Sequence, residues 1–287
     1  MNRTKIAIQG GPASFHDAAA RLLQTGKTIE TLNCTTFRRL CAALQQQEVD
    51  AAVMAIENTL AGSLLANYAL LLEHHLHITS ELWLPIDQTL IALPGQCIQD
   101  IRKVLSHPVA LTQCSGFLQK HPHLQPQQSH DTADSAKTIQ EQQLKNTAAI
   151  AGKVAAALYD LEILAENIAD TTDNHTRFLL LQREQPAVPA TADKAILAFR
   201  KPLHTSTLTL LLSLLQKHQV ELTLLQSLPS TDSRGSMVAE VEAEHVEQLQ
   251  EAIAHIRPLV EELQVLGLLQ KAVHPAKVSE RETAAIL

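Results

Sequence analysis

The chain has 287 residues, 45% of them hydrophobic and 18% charged, with a formal net charge of −7. That length suggests two domains, and the apolar content excludes wholesale disorder. The acidic balance argues against nucleic acid as a partner, because phosphate neutralisation needs clustered Lys and Arg. No apolar run approaches the roughly 18 residues of a membrane span. The apolar stretch after Met1-Asn2-Arg3-Thr4-Lys5 is too short for a signal peptide, so a cytoplasmic location is expected.

In chain order, Lys5–Gln9 reads as a strand, followed by a turn at Gly10-Gly11-Pro12 and a helix over Ser14–Leu23. Phe37–Leu44 repeats apolar residues at i, i+3, i+4 and i+7, which is helical. Asp50–Ile56 is a buried strand, Ser63–His74 a helix and Ile78–Leu84 another strand. The alternation continues through Ile101–Leu105, a helix near Gln113–Lys120, one over Asp134–Leu144, the strand Thr147–Ala151 and the helix Lys153–Tyr159. This pattern predicts an α/β fold with largely parallel sheets. Glu184–Asp193, with two prolines and no apolar periodicity, reads as a linker. Beyond it, the strand Ala195–Phe199, a Leu208/Leu211/Leu212/Leu215 helix, the strands Leu222–Leu228 and Met237–Val241, the helix Val246–Ile256 and the strand Val265–Leu269 give the ferredoxin-like order β-α-β-β-α-β. The tail after Pro275 is charged and expected to fray.

Cys34, Cys41, Cys97 and Cys114 form no C-x-x-C pair and read as reduced, structural thiols. Of the 14 histidines, His74 and His77 are able to share a helical face, but they lack an acidic partner at helical spacing apart from the neighbouring Glu73, so no metal site is expected. Several strand-to-helix junctions carry small polar residues: Ser14 with Asp17, Glu57-Asn58-Thr59 with Ser63, Thr132 with Asp134, and Gly152. Helix starts offer free N–H groups and a positive dipole end, a place for a carboxylate, although each also reads as ordinary capping. Asp170–Leu181 (DTTDNHTRFLLL) runs a polar loop into an apolar strand, and Arg177 at the strand entry calls for a carboxylate, from a ligand or from the protein.

These residues resemble the prephenate dehydratase family. Asn174 with Thr176-Arg177-Phe178 matches N-x-T-R-F, and Ile56-Glu57-Asn58-Thr59 with Gly62-Ser63 is similar to I-E-N-S-x-x-G-S, Thr59 replacing Ser. Ser106-His107-Pro108 through Cys114 is similar to S-H-P-x-A-L-x-Q-C, and Thr132-Ala133 and Ala148–Ala151 fit two further segments in the right order. Gly10 through Ala19 resembles G-P-x-G-S-F-S-x-x-A-A, with Ala13 where Gly is usual and His16 where Ser is usual. The resemblance spans residues 5 to about 182. It implies two α/β subdomains like a type II periplasmic binding protein, an active site between them, and conversion of prephenate to phenylpyruvate, water and CO₂ in phenylalanine biosynthesis, without cofactor or metal.

By the same resemblance, Thr176 assists the departing hydroxyl and Arg177 binds or orients a carboxylate. Asn58, Thr59, Ser63, Ser14 and Thr132 supply hydrogen bonds, Phe178 walls the ring or supports its strand, and Glu57 holds its loop. Thr has no useful pKa near neutrality, so Thr176 reads as a positioned donor. The C-terminal unit resembles an ACT regulatory domain. Ser206, Gln226 and Leu228 replace that module's usual Gly, Glu and Arg, and Thr207, Leu208, Glu221 and Leu222 are the regulatory candidates for phenylalanine. The expected organisation is a catalytic domain over 1–183, a linker over 184–193, an ACT domain over 194–275 and a tail over 276–287, assembled as a homodimer or homotetramer. Arogenate dehydration is the alternative with the same chemistry, and a non-catalytic small-molecule binding module the alternative of another class.

Overall fold

Short apolar strands alternate with helices that each bury one face, and the chain builds three sheets from them. The structure, a computed structural model, describes residues 3–200, 204–229 and 235–274. Lobe 1 contains β1 (Thr4–Gln9), α1 (Phe15–Leu23), β2 (Ile29–Cys34), α2 (Phe37–Gln45), β3 (Ala51–Asn58), β4 (Gly62–Ser63), α3 (Leu65–Glu73) and β5 (His77–Pro85). Lobe 2 follows with β6 (Thr89–Ala92), β7 (Lys103–Ser106), α4 (Pro108–Gln113), α5 (Ser115–Lys120), β8 (Gln125–Gln128), α6 (Thr132–Gln142), β9 (Thr147–Ala151), α7 (Lys153–Leu158) and β10 (Glu162–Ala165). The chain then returns to lobe 1 as β11 (His175–Gln182). The C-terminal unit comprises β12 (Lys194–Phe199), α8 (Thr205–Lys217), β13 (Glu221–Leu228), β14 (Ser236–Glu242), α9 (Val246–Ile256) and β15 (Leu263–Leu269).

The lobe 1 sheet runs β2-β1-β3-β11-β5, with β4 on β3, and the lobe 2 sheet β10-β6-β9-β7-β8. Both are mixed, which corrects the expectation of largely parallel sheets. β1 pairs parallel with β2 and β3, but β11 inserts antiparallel between β3 and β5 because it enters from the other lobe. β6 is likewise antiparallel to β9 and β10. The chain therefore crosses between lobes just before Thr89 and again just before His175, and the second crossing delivers the N-x-T-R-F segment to the lobe junction. The helix expected over Gln113–Lys120 is two short ones meeting at Cys114.

Residues 184–193 carry no helix or strand. The third sheet, β13-β14-β12-β15, is antiparallel throughout and has the ferredoxin-like order. Because strand side chains alternate in direction, β12 serves two cores. Ala195, Leu197 and Phe199 pack in a cluster with Leu211 of α8 and Leu249 of α9, while Ile196 and Ala198 join Val238 and Leu266 in a cluster shared with Leu76, Leu179 and Leu181 of lobe 1. The approach is close: a Cβ on Gly267 of β15 would lie 2.7 Å from the carbonyl oxygen of Ile78 on β5. The C-terminal unit is thus packed on the lobe 1 sheet through a continuous apolar interior. The expected tail over 276–287 lies outside the described residues.

Candidate active site

Thr176 and Arg177 sit at the entry of β11 and point to opposite faces of the sheet, as adjacent strand residues do. The pairing of β11 with β3 shifts register between Arg177 and Phe178, so Thr176 lies opposite Asn58 and Arg177 opposite Glu57, whereas Phe178 is opposite Ala55. Such a bulge re-aims the side chains around it.

Asn58, at the end of β3, organises the Thr176 side. Its Nδ2 lies 3.0 Å from Thr176 Oγ1, 2.8 Å from Asn174 Oδ1 and 3.0 Å from the His175 carbonyl oxygen, donating toward all three. Its Oδ1 accepts the N–H groups of Leu60 and Ala61, both at 3.0 Å, which closes the turn after β3. An oxygen that accepts from Asn58 keeps its own proton for another acceptor, so Thr176 is oriented as a donor. Thr59 donates to the Asp173 carbonyl oxygen at 2.8 Å and accepts the His175 N–H at 3.0 Å, bracing the same loop. Asn174 donates to Gln113 Oε1 of α4 at 3.2 Å and so ties the loop to lobe 2. Asp170 accepts from Ser115 Oγ at 2.7 Å and from the Gly116 N–H at 2.8 Å, a second tie at the α5 start.

The other helix starts differ in what they have to spare. Ser14 is buried and caps α1, its Oγ accepting the Asp17 N–H at 3.2 Å, and Asp17 in turn accepts the Ala13 N–H. Ala13 holds a left-handed φ of +64°, a conformation costing an L-residue about 1 kcal/mol, which is why Gly suits that position. The start of α6 is capped by Asp131, whose Oδ1 accepts the N–H groups of Ala133 and Asp134 at 2.8 and 3.2 Å, so Thr132 stands beside a helix end that already holds an anion. Burial, with Asp134 nearby, raises the Asp131 pKa, although its backbone hydrogen bonds counter the rise. These carboxylates face Gly10 and Gly11 across the lobes: a Cβ there would lie 2.9 Å from Asp131 Oδ2 and 3.0 Å from Asp134 Oδ1. The starts of α3, next to Ser63, and of α7, at Gly152, have no side-chain cap. Gly152 lies against the Phe15 ring, where an added Cβ would be 3.3 Å away. His16, in the first turn of α1, meets Phe178 edge-on at 4.9 Å and Phe37 at 5.5 Å, and burial lowers its pKa to about 3.

Two expected substrate contacts are corrected. Arg177 is 3% exposed and turns its guanidinium toward the C-terminal unit. It pairs with Glu240 of β14 at 2.6 and 2.8 Å, with Glu57 at 3.1 Å and with Glu81 of β5 at 3.2 Å, and it donates to the Tyr68 hydroxyl at 3.0 Å. The carboxylates its position calls for come from the protein. Lys194 completes the cluster, 2.8 Å from Glu240 and 3.2 Å from Glu81, and Tyr68 hydrogen-bonds Glu240. Burial alone would raise the Glu240 pKa, but Arg177 and Lys194 outweigh it and hold the carboxyl down to about 2. Phe178, 1% exposed, packs with Ile6, Ile8 and Ala19 inside lobe 1 and supports the strand rather than walling a ring. Glu57, expected to hold its loop, instead pairs with Arg177.

Sequence reasoning passed over Asn174, Gln113, Glu81, Lys194 and Glu240 as site residues. Of these, Lys194 carried a signal, as the one charged residue of an otherwise apolar strand, whereas Glu81 and Glu240 lie in strands with further polar residues. Among the described residues no three His, Cys, Asp or Glu side chains come together as a metal set. Thr207 and Leu208 occupy the first turn of α8 while Glu221 and Leu222 open β13 beyond its far end. About 15 Å of helix separates them, so within one chain they form no single site.

The prephenate dehydratase family model matches residues 6–186. Arogenate dehydratase/prephenate dehydratase 1, chloroplastic, of Arabidopsis thaliana is 42% identical over 190 residues, which cover 66% of this chain and 47% of the relative. The chain spans about half the length of the curated relatives it matches. A solved structure described as GqqA, a novel type of quorum quenching acylase, is 32% identical with a TM-score of 0.81, covering 95% of this chain and 99% of the other. Prephenate dehydratase from Arthrobacter aurescens in complex with L-Phe is 24% identical with a TM-score of 0.80, covering 98% of each chain, and shares the fold. The family match runs through both lobes and ends just past the strand that brings Thr176 to their junction, and on that ground the chain belongs to the prephenate dehydratase family.

Proposed function

We propose that this chain converts prephenate to phenylpyruvate, with Thr176 as its catalytic residue. The observation that carries the reading is the Asn58–Thr176 hydrogen bond, which fixes a neutral donor at the junction of two lobes. In the reaction the bond from ring carbon to carboxylate breaks, CO₂ leaves, and the electron pair enters the ring. The ring aromatises as the C–O bond to the hydroxyl breaks. The departing oxygen takes its pair, is met by the Thr176 O–H, and leaves as water once solvent supplies the proton. A group that stays neutral and prepositioned lowers the barrier by orientation and by stabilising charge that develops on that oxygen.

Arg177 is committed to the seam, so the substrate carboxylates fall to backbone N–H groups and neutral donors. The uncapped α3 start beside Ser63 is the proposed seat for one of them, since its dipole favours an anion. Ser14 and Thr132 are the further neutral donors of the proposal. The test is incubation with prephenate while following phenylpyruvate; an inactive, folded chain overturns the reading.

Arogenate is the second substrate reading, favoured by the names of the curated relatives. The ratio of kcat/KM for the two substrates decides between them. The near full-length match to a quorum quenching acylase supports a further one, hydrolysis of an acylated signal molecule, assayed on the same preparation by release of the free acid.

The C-terminal unit is read as an ACT module that takes phenylalanine between copies of a homodimer or homotetramer. The structure related to this fold that holds L-Phe supports that reading. Titrating phenylalanine against activity and against oligomer size tests it. Free thiols at Cys34, Cys41 and Cys114, all buried, fit a reducing compartment such as the cytoplasm, although the named relatives include chloroplastic ones.

A further inference from the structure

We propose that Glu240, on a strand of the C-terminal unit, is a positioning residue for the dehydration at Thr176, acting through Arg177. The inference rests on the reading of Thr176 as the catalytic residue.

Arg177 follows Thr176 directly, so any rotation of its backbone is shared by Thr176. The ladder from β11 to β3 is interrupted beside it, which weakens the backbone's hold on that side of the strand entry, while the pairing with β5 runs unbroken from His175 to Leu180. Side-chain anchors add to that one-sided ladder on the two faces: Asn58 holds Thr176, and Glu240 holds Arg177 with two short bonds of 2.6 and 2.8 Å to separate guanidinium nitrogens. A planar fork on a carboxylate fixes direction as well as distance. Glu240 is itself gripped by Lys194 and Tyr68, and it sits on a strand whose sheet is packed into the lobe 1 interior. The hydroxyl is thus aimed from both sides of the sheet, and one of the two anchors belongs to a different folding unit.

The charges make the proposal testable. Two cations, Arg177 and Lys194, face three carboxylates, Glu57, Glu81 and Glu240. Glu240→Gln takes the cluster from two against three to two against two, so neither cation is left without a carboxylate while the charged fork is lost. Full-length wild type, Glu240→Gln, Glu240→Asp and the control Glu242→Gln are assayed on prephenate and arogenate well below their melting temperatures. The control residue pairs with Lys271 instead.

We expect Glu240→Gln to lower kcat tenfold or more with KM within twofold, Glu240→Asp to recover part of the loss by restoring the charge, and Glu242→Gln to match wild type. A lowered melting temperature with kcat unchanged overturns the proposal, since that is what a purely structural residue would do. A fall in kcat equally deep in Glu242→Gln overturns it too. If Glu240→Gln does not fold, Glu240→Asp decides alone: kcat equal to wild type rejects the proposal and a reduced kcat at constant KM upholds it. A wild type inactive on both substrates removes the reading of Thr176 and this inference together, whereas an active wild type with an indifferent Glu240 removes only the inference.

Discussion

Asn58 Nδ2 donates to Thr176 Oγ1 across 3.0 Å, from the end of one strand to the start of its antiparallel neighbour. The two residues are 118 positions apart in the chain, with the whole of lobe 2 between them. The geometry of the donor is therefore a property of the lobe 1 sheet, completed only when the chain returns to it from lobe 2 as β11, and each end of the bond is open to a separate test.

Removing the hydroxyl removes the donor. Thr176→Ala should cut kcat by 10²-fold or more, in the range of loss of a single preorganised donor, with a circular dichroism spectrum like that of wild type. Thr176→Ser keeps the donor and should retain most of the turnover. Asn58→Asp offers Thr176 an acceptor in place of a donor, so the hydroxyl proton turns toward the carboxylate. Its kcat should fall well below that of wild type, and turnover matching wild type would show that the Asn58 bond does not orient Thr176.

Much of this site was legible in the sequence. Polar residues at strand ends marked the junctions, the resemblance of their motifs to the family singled out Asn58 and Thr176, and the ferredoxin-like order of the C-terminal unit followed from its element order. The direction of Arg177 was not legible. A guanidinium at a strand entry needs a carboxylate, but the sequence does not say whether it comes from a ligand or from a strand 63 positions later. The alternation Lys194, Ile196, Ala198 held the missing clue, since it gives β12 a second buried face and therefore something to pack on. β8, with Pro126 and glutamines, was missed because an exposed edge strand shows no apolar periodicity.

The seam cluster should respond unequally to losing a cation or an anion. Lys194→Met leaves Arg177 alone with three carboxylates in a buried site. Breaking a buried ion pair from one side costs about 3–5 kcal/mol, and urea unfolding should show a loss of that order. Adding Glu240→Gln to Lys194→Met takes away one of the uncompensated carboxylates and should recover part of the stability. A double variant less stable than Lys194→Met would mean that hydrogen bonding outweighs charge balance in this cluster.

Acid should destabilise the fold before the carboxylates titrate. His16 is held neutral by burial, its pKa about 3 in the folded state against 6.5 ordinarily, and its Nε2 is buried with no partner. Below pH 6.5 the unfolded chain takes up a proton that folded His16 refuses, so this stability is complete above 6.5 and drains away as pH falls toward 3. One proton corresponds to at most about 1.4 kcal/mol per pH unit. Glu240 acts in the same sense lower down, as pH falls from its ordinary 4.5 to about 2. His16→Phe fills the space between Phe37 and Phe178 without titrating, and its stability measured by urea unfolding should fall less between pH 7 and 5 than that of wild type. Parallel curves for the two proteins would remove His16 as the source. His74 and His77, also lowered by burial, would then be the candidates.

Gly267 tests whether the C-terminal sheet and lobe 1 stand or fall together. It has no side chain, and β15 uses that absence to lie against β5: an added methyl would sit 2.7 Å from the Ile78 carbonyl oxygen and 2.9 Å from the Ile78 Cβ. Neither atom is the end of a flexible side chain, so the strands must separate. Overpacking of this kind costs about 1–3 kcal/mol. Since Arg177 reaches Glu240 across the same seam, Gly267→Ala should lower both the urea midpoint and kcat, while Gly26→Ala, which has open space around it but a left-handed φ of +83° that strains an Ala, should lower the midpoint and leave kcat unchanged. If Gly267→Ala loses stability but keeps full turnover, the seam tolerates a shift without moving Thr176, and the apolar packing and the aim of the hydroxyl are independent.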